Sequence, residues 1–233
     1  MKKIPVSIAT ALLLLTPMSL QAQVITDGFT YAVADGGHYH SNTGGAFGNP
    51  AGKAEVGRYS SEVVYGLSEY SLAGLTNSPN AFVTFDVFKA GGLFSGVNDS
   101  PFTGTISIFA YQGNNAENLE DFSAPSVGTV GSFFVSPGTA DVGDIFSFDI
   151  TPIFNDAITN GWSSLGIRLQ QDPQLPASQA WTFDSFRLTS ENLTTNPGAV
   201  PEPATWALMI AGFGFIGGAM RRQRRELRVV RQV

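Results

Sequence analysis

The chain has 233 residues, a net charge of −6 and no cysteine, which sets aside disulfides, thiolate nucleophiles and cysteine-held metals. The charge is segregated: residues 23–200 carry seventeen Asp and Glu against five basic residues, Lys53, Arg58, Lys89, Arg168 and Arg187. That balance, near −12, disfavours nucleic acid and anionic lipid as partners of the central region but leaves neutral glycans and cations open.

The first element is an address. Lys2 and Lys3 precede an apolar stretch over residues 4–20, densest at Leu12 to Leu15, with Pro17 near its end and small Ala22 before Gln23. Basic, apolar and small, in that order, predict a secretory signal peptide over residues 1–22, cut between Ala22 and Gln23. An uncleaved anchor or a buried helix is the alternative.

From residue 23 to about 189 the sequence reads as one β domain. Only 14% of the chain is charged, while Gly numbers 26, Phe 18 and Pro 13, a composition suited to short strands and tight turns. Period-two faces recur: Ala81, Val83, Phe85 and Val87; Ile106, Ile108 and Ala110; Phe146, Phe148 and Ile150; Leu165, Ile167 and Leu169, with Arg168 and Gln170 opposite. Turn clusters at residues 77–80, 113–115 and 136–138 separate them. One helix is predicted, with Thr151 as its cap, Pro152 in the first turn, an apolar stripe of Ile153, Phe154, Ala157 and Ile158, and Gly161 as its stop. The sum is an all-β antiparallel sandwich with one short helix across an open end.

Candidate chemistry is sparse. His38 and His40, two apart, would share one face of a strand and hold a transition metal with Asp35 or Glu55; a polar Gly-rich loop is the plainer account. Structural calcium would draw on loop oxygens from Asp27, Asp35, Asn98, Asp99 and Asp184, although no spacing matches an EF-hand. Glycoside hydrolysis would need two carboxylates, for which Glu62 with Glu69, or Asp149 with Asp184, are the pairs to consider. No Gly-x-Ser-x-Gly elbow, phosphate loop or dinucleotide motif occurs. Aromatic rings stack on sugars, and Tyr39, Phe109, Tyr111, Trp162 and Trp181, with Tyr59, are the candidates for a glycan-binding face. Membership of the core is the competing role for each.

Residues 190–200, with Pro197 and Gly198, read as a flexible spacer. The tail then has three parts. Pro201-Glu202-Pro203 favours an extended backbone that a protease can seat. Residues 204–220 are uncharged and apolar, about 25 Å long as a helix, at the short end for a bilayer span. Residues 221–233 hold six arginines, including Arg221 and Arg222, which keep this end in the cytoplasm. Gly214 and Gly218, four apart, would also suit a permanent anchor that packs against another helix.

Pro201, Glu202, Pro203, Trp206, Ala207, Met209, Ile210, Gly212, Phe213, Gly214, Gly217, Arg221 and Arg222 together resemble the PEP-CTERM sorting signal in its PEPxxWA variant. That resemblance implies an exosortase that cuts near Pro-Glu-Pro, transient residence in the inner membrane, and delivery to the surface of a bacterium that makes exopolysaccharide. In the centre, Glu69 to Leu75, Phe148 to Thr151, Ser164 to Leu169 and Phe183 to Leu188 are similar to segments of DNRLRE-type jelly-roll domains, some of which bind carbohydrate. That likeness implies a jelly-roll β-sandwich. The expected function is that of a non-enzymatic surface or matrix protein associated with exopolysaccharide in a biofilm. A polysaccharide-acting enzyme and a ligand-free matrix subunit are the alternatives.

Overall fold

The computed structural model describes residues 23–40, 52–172 and 175–195. The signal peptide with Ala22, residues 196–200 of the spacer and the whole sorting tail lie outside them.

The described chain is almost entirely antiparallel β structure. Its strands are β1 (Val24–Asp27), β2 (Phe29–Ala34), β3 (His38–Tyr39), β4 (Ala54–Tyr59), β5 (Glu62–Ser71), β6 (Phe82–Lys89), β7 (Gly104–Gly113), β8 (Ser126–Val135), β9 (Ile145–Asp149), β10 (Ser164–Asp172) and β11 (Ala180–Thr189). One helix, α1 (Thr151–Thr159), lies between β9 and β10. The hydrogen-bonded path runs β8-β7-β10-β5-β4-β11-β6-β9, with β1 beside β11, β2 beside β5, and β3 beside β2. Two facing rows, β8-β7-β10-β5 and β4-β11-β6-β9, therefore form one continuous sheet, turned over at the β4–β5 hairpin where Tyr59 pairs with Glu62. The sheet is nearly closed. Its outer strands β8 and β9 meet through rings, with the Phe133 and Phe146 centroids 4.4 Å apart.

Between the rows lies the core. The alternating faces read from the sequence are its walls: Val83, Phe85 and Val87 from β6, Ile106, Ile108 and Ala110 from β7, and Leu165, Ile167 and Leu169 from β10 are buried. Phe85 is the hub, with Phe186 at 4.8 Å, Phe183 at 5.5 Å and Phe133 at 5.6 Å between ring centroids, distances at which aromatic pairs attract. β11 departs from strict alternation. Ser185 has φ +55° and the register slips between Asp184 and Arg187, so Trp181 and Phe183 point inward before the bulge, and Phe186 and Leu188 after it.

α1 closes one end of this core with Phe154 and Ala157. The expected start needs one correction. Ile150 is the N-cap, Thr151 Oγ1 instead accepts from the Ala81 amide at 2.8 Å, and the Asp149 carboxylate accepts from the Thr151 amide at 2.8 Å. Pro152 occupies the first turn as read. Gly161, at φ +67°, ends the helix and lets the Trp162 amide return to the Ala157 carbonyl at 3.0 Å.

The domain also reaches further than residue 189. The Gln23 carbonyl accepts from Ser190 N at 2.9 Å, Leu193 lines a small cavity with Thr84, Asp86 and Arg187, and Thr195 N donates to the Ile145 carbonyl at 3.2 Å. The ends of residues 190–195 are thus hydrogen-bonded to the sheet.

Candidate functional site

The outer face of the β7-β10-β5-β2 row carries a second, smaller packed layer. Register places Tyr111, Gly166, Glu69 and Phe29 side by side across the four strands, with Phe109, Arg168, Leu67 and Tyr31 in the next rung. Residues on one rung share a face. Gly166 is what permits the arrangement, because a Cβ there would stand 2.1 Å from the Tyr111 ring. With that space free, the ring lies across β10 and is fully buried.

Over this layer folds the connection from β7 to β8, with a 3-10 turn at Leu119–Ser123. Tyr31, Val33, Leu67 and Tyr111 pack beneath it with Leu119, Phe122 and Ala124, and Tyr65 stacks on Phe122 at 4.2 Å. Arg168 Nη1 donates to the carbonyls of Asp121, Phe122 and Ala124 at 2.9–3.1 Å. This is why a charged side chain on a central strand is buried: it ties down the end of the cover.

Two carboxylates complete the layer. Glu69, with no exposed surface, accepts through Oε2 from the Asn114 amide at 3.0 Å, the Asn115 amide at 2.8 Å and Ser164 Oγ at 2.8 Å. Its Oε1 is buried without a hydrogen-bond partner. Asp121 accepts from Tyr31 Oη at 2.7 Å and from the Asn118 amide at 3.1 Å, and the Tyr31 and Tyr111 hydroxyls meet at 3.1 Å. Burial drives the Asp121 carboxyl up to about 6, partly offset by the Tyr31 hydrogen bond, with the Glu69 charge adding to the rise. Burial also raises Glu117 and lowers Arg168.

The Asp121 shift has a measurable consequence. A carboxyl whose folded pKa is raised holds its proton more tightly in the folded state. Its contribution to stability is full below the unfolded value near 4 and is lost as pH rises through about 6. We expect the urea midpoint to fall between pH 4 and pH 6.5, with about 1–2 kcal/mol of that loss due to this group. Asp121→Asn, which keeps an oxygen for Tyr31, should flatten that part of the profile. An unchanged profile in the variant would remove Asp121 as the cause.

A second polar cluster sits near the β4 edge. Glu55 is buried and accepts from the Leu93 amide and from Asn98 Nδ2, both at 2.6 Å, while His40 Nδ1 lies 2.7 Å from Glu55 Oε1. The rings of Tyr59 and Phe94 enclose His40 at 4.5 and 4.4 Å. Gly92 leaves room for the Asn98 carboxamide, which a Cβ would meet at 2.3 Å. Glu55 and Asn98 thus anchor the Leu93–Asp99 loop.

These placements revise the candidates read from sequence. His40 and Glu55 do come together. Asp35 is exposed and accepts from the Val63 amide at 3.1 Å. Asp27 pairs in register with Arg187, Asp99 accepts from Gly96 N at 3.1 Å, and Asp184 is ion-paired with Lys53. His38 belongs to β3, and its side chain is not among those described. Among the described residues no group of three or more His, Cys, Asp and Glu could hold a metal ion.

The aromatic candidates divide. Tyr111 and Trp181 are fully buried and are corrected from stacking faces to core. Trp181 Nε1 donates to the Phe102 carbonyl at 2.8 Å, and Tyr111 belongs to the outer layer. Phe109 and Trp162 are half-buried. Tyr39 is half-buried too, and its hydroxyl donates to the Glu117 carbonyl at 2.7 Å. Of the carboxylate pairs, Glu62 and Glu69 are seven apart on β5, hence on opposite faces. Asp149 and Asp184 are registered with Phe82 and Asp86 of β6, about 14 Å apart along that strand alone, beyond the roughly 9.5 Å that glycosidase carboxylates span.

The chain leaves the described region at the gap between β8 and β9. A cleft of about 310 Å³ opens there, lined by Phe133 and Phe134 of β8, Phe146 and Ser147 of β9, Asp144 and Thr194. Ile145 N donates to Thr195 Oγ1 at 2.9 Å, which with the reciprocal bond from Thr195 N pins the exit point to the free edge of β9.

Residues 199–225 match the PEP-CTERM protein-sorting motif. The protein is therefore an exported one, sorted to the cell surface and processed by an exosortase. No curated protein matches the chain, and nothing beyond the sequence pattern supports the likeness to DNRLRE-type domains.

Proposed function

We propose that the protein is a non-enzymatic component of the cell surface or extracellular matrix that associates with exopolysaccharide, its β domain being released or transferred once it has crossed the inner membrane and the tail that holds it there has been cut. The observation that carries this reading is the sorting motif at residues 199–225, which follows a domain docked as far as Thr195. We read the domain as a jelly roll. In support, the eight strands β4 to β11 pair in two rows, each mixing early and late strands, as two wrapped Greek keys require. The acidic balance of residues 23–200 suits neutral glycans better than anionic polymers.

The test uses processed protein recovered from the cell surface, offered a broad panel of neutral and acidic polysaccharides. Saturable retention on at least one polymer is the expected result. No retention on any of them, with no cleavage of them, would make the protein a ligand-free matrix subunit. Release of reducing ends would make it an enzyme.

A further inference from the structure

The tail is tethered closely. Thr195 is held at both its amide and its hydroxyl by Ile145, and Pro201 follows six residues later. Six extended residues span at most about 20 Å. The apolar run begins three residues beyond Pro201, so a membrane that receives it lies within about 30 Å of Thr195 at the β9 edge.

That corner of the domain is unusual. Among the described residues, the two most exposed large apolar side chains are Val142, at 67%, and Phe134, at 56%. Phe134 lines the cleft with Thr194 and Asp144, and Val142 stands two residues before Asp144 in the turn that leads into β9. The Asp144 carboxylate closes this turn by accepting from the Asp141 amide at 2.9 Å. Residues 132–148 contain no Lys or Arg. α1 lies at the other end of β9, beyond Asp149.

We infer that, before processing, the corner formed by Phe134, Val142 and the Asp141–Asp144 turn rests on the lipid interface of the inner membrane, with α1 turned away from it. The inference depends on the reading of residues 204–220 as a membrane span. Two apolar side chains beside two carboxylates fit a zwitterionic headgroup layer, where aromatic and aliphatic groups insert and no basic residue is needed. The contact is too small to hold the free domain. The tether supplies an effective concentration in the millimolar range, so cutting it also ends the contact and lets the domain leave.

The chain has no cysteine, so single reporters can be placed at will. Protein spanning Gln23 to Val233 and carrying Val142→Cys or Asn160→Cys, each labelled with a polarity-sensitive fluorophore, would be reconstituted into phosphatidylcholine–phosphatidylethanolamine vesicles. Brominated lipid would serve as quencher. Quenching at position 142 at least threefold stronger than at 160, reduced when Phe134→Ser is added, is the expected result. Equal quenching in protein that floats with the vesicles would overturn the orientation and leave the membrane span standing. Protein that does not float would overturn both.

Discussion

Replacing Pro201, Glu202 and Pro203 with alanine should leave the protein in the inner membrane with its tail uncut and lower its surface yield at least tenfold. Two prolines with one residue between them hold about three residues of backbone extended, the form in which proteases bind substrate. Alanines at the edge of an apolar run would instead continue its helix, withdrawing the scissile region into hydrogen bonds of its own. The arginines from Arg221 onward stay on the cytoplasmic side in either case, so the variant is trapped and not lost to secretion. Fractionation with mass determination of each pool checks this. A chain from Gln23 to Val233 in the membrane fraction is the predicted species, and unchanged processed protein at the surface would show that Pro-Glu-Pro is not what the sorting enzyme reads.

Glu69→Ala should be the most damaging small change in the outer layer, costing about 3–4 kcal/mol. It strips the acceptor from two backbone amides and a buried hydroxyl at once, and each buried donor left unpaired costs about 1–3 kcal/mol. Glu69→Gln retains an oxygen at the same reach and should cost about 1–2 kcal/mol, which separates loss of acceptor from loss of charge. Domains of this size are stable by only about 5–15 kcal/mol, so the alanine variant should have a visibly lower urea midpoint. Equal losses for the two variants would mean that the charge, not the acceptor, holds the Asn114–Asn115 turn.

What the sequence disclosed follows from how local each signal is. The faces of β6, β7 and β10 are written as period-two alternation over five or more residues, and all appear as walls of the core. Pro152 and Gly161 bracket a helix through backbone chemistry that needs no partner, and α1 forms between them. Thr151 misled because a cap is a competition: its hydroxyl found the Ala81 amide across the sheet, a partner 70 residues away. The bulge at Ser185 was equally hidden. Phe183 and Phe186, three apart, break the strand period, and only a left-handed residue between them reconciles both with one core.

The polar clusters were legible in part. Arg168 interrupts an apolar strand in a domain with five basic residues, a signal that it has a dedicated role, but its targets are carbonyls of a loop some 45 residues earlier. Gly166 between Leu165 and Ile167 marks a close approach, though nothing local names Tyr111 as the ring that uses the gap. Tyr111 and Trp181 illustrate the opposite error. Parity and proximity to turns place them outward, yet the Leu119–Ser123 cover buries one and the Phe102 carbonyl draws in the other. The sorting tail was the easiest feature to read because its information is linear: proline, apolar run and arginine act in order along the chain, without a fold.

The central claim is that both ends of the chain are removed and that the domain between them is what the cell displays. The intact mass of the protein taken from the native cell surface tests this most directly. A species that begins at Gln23 and ends close to Pro203 is the expected result. A surface species that retains residues 204–233 would contradict it and make the protein a permanently anchored one.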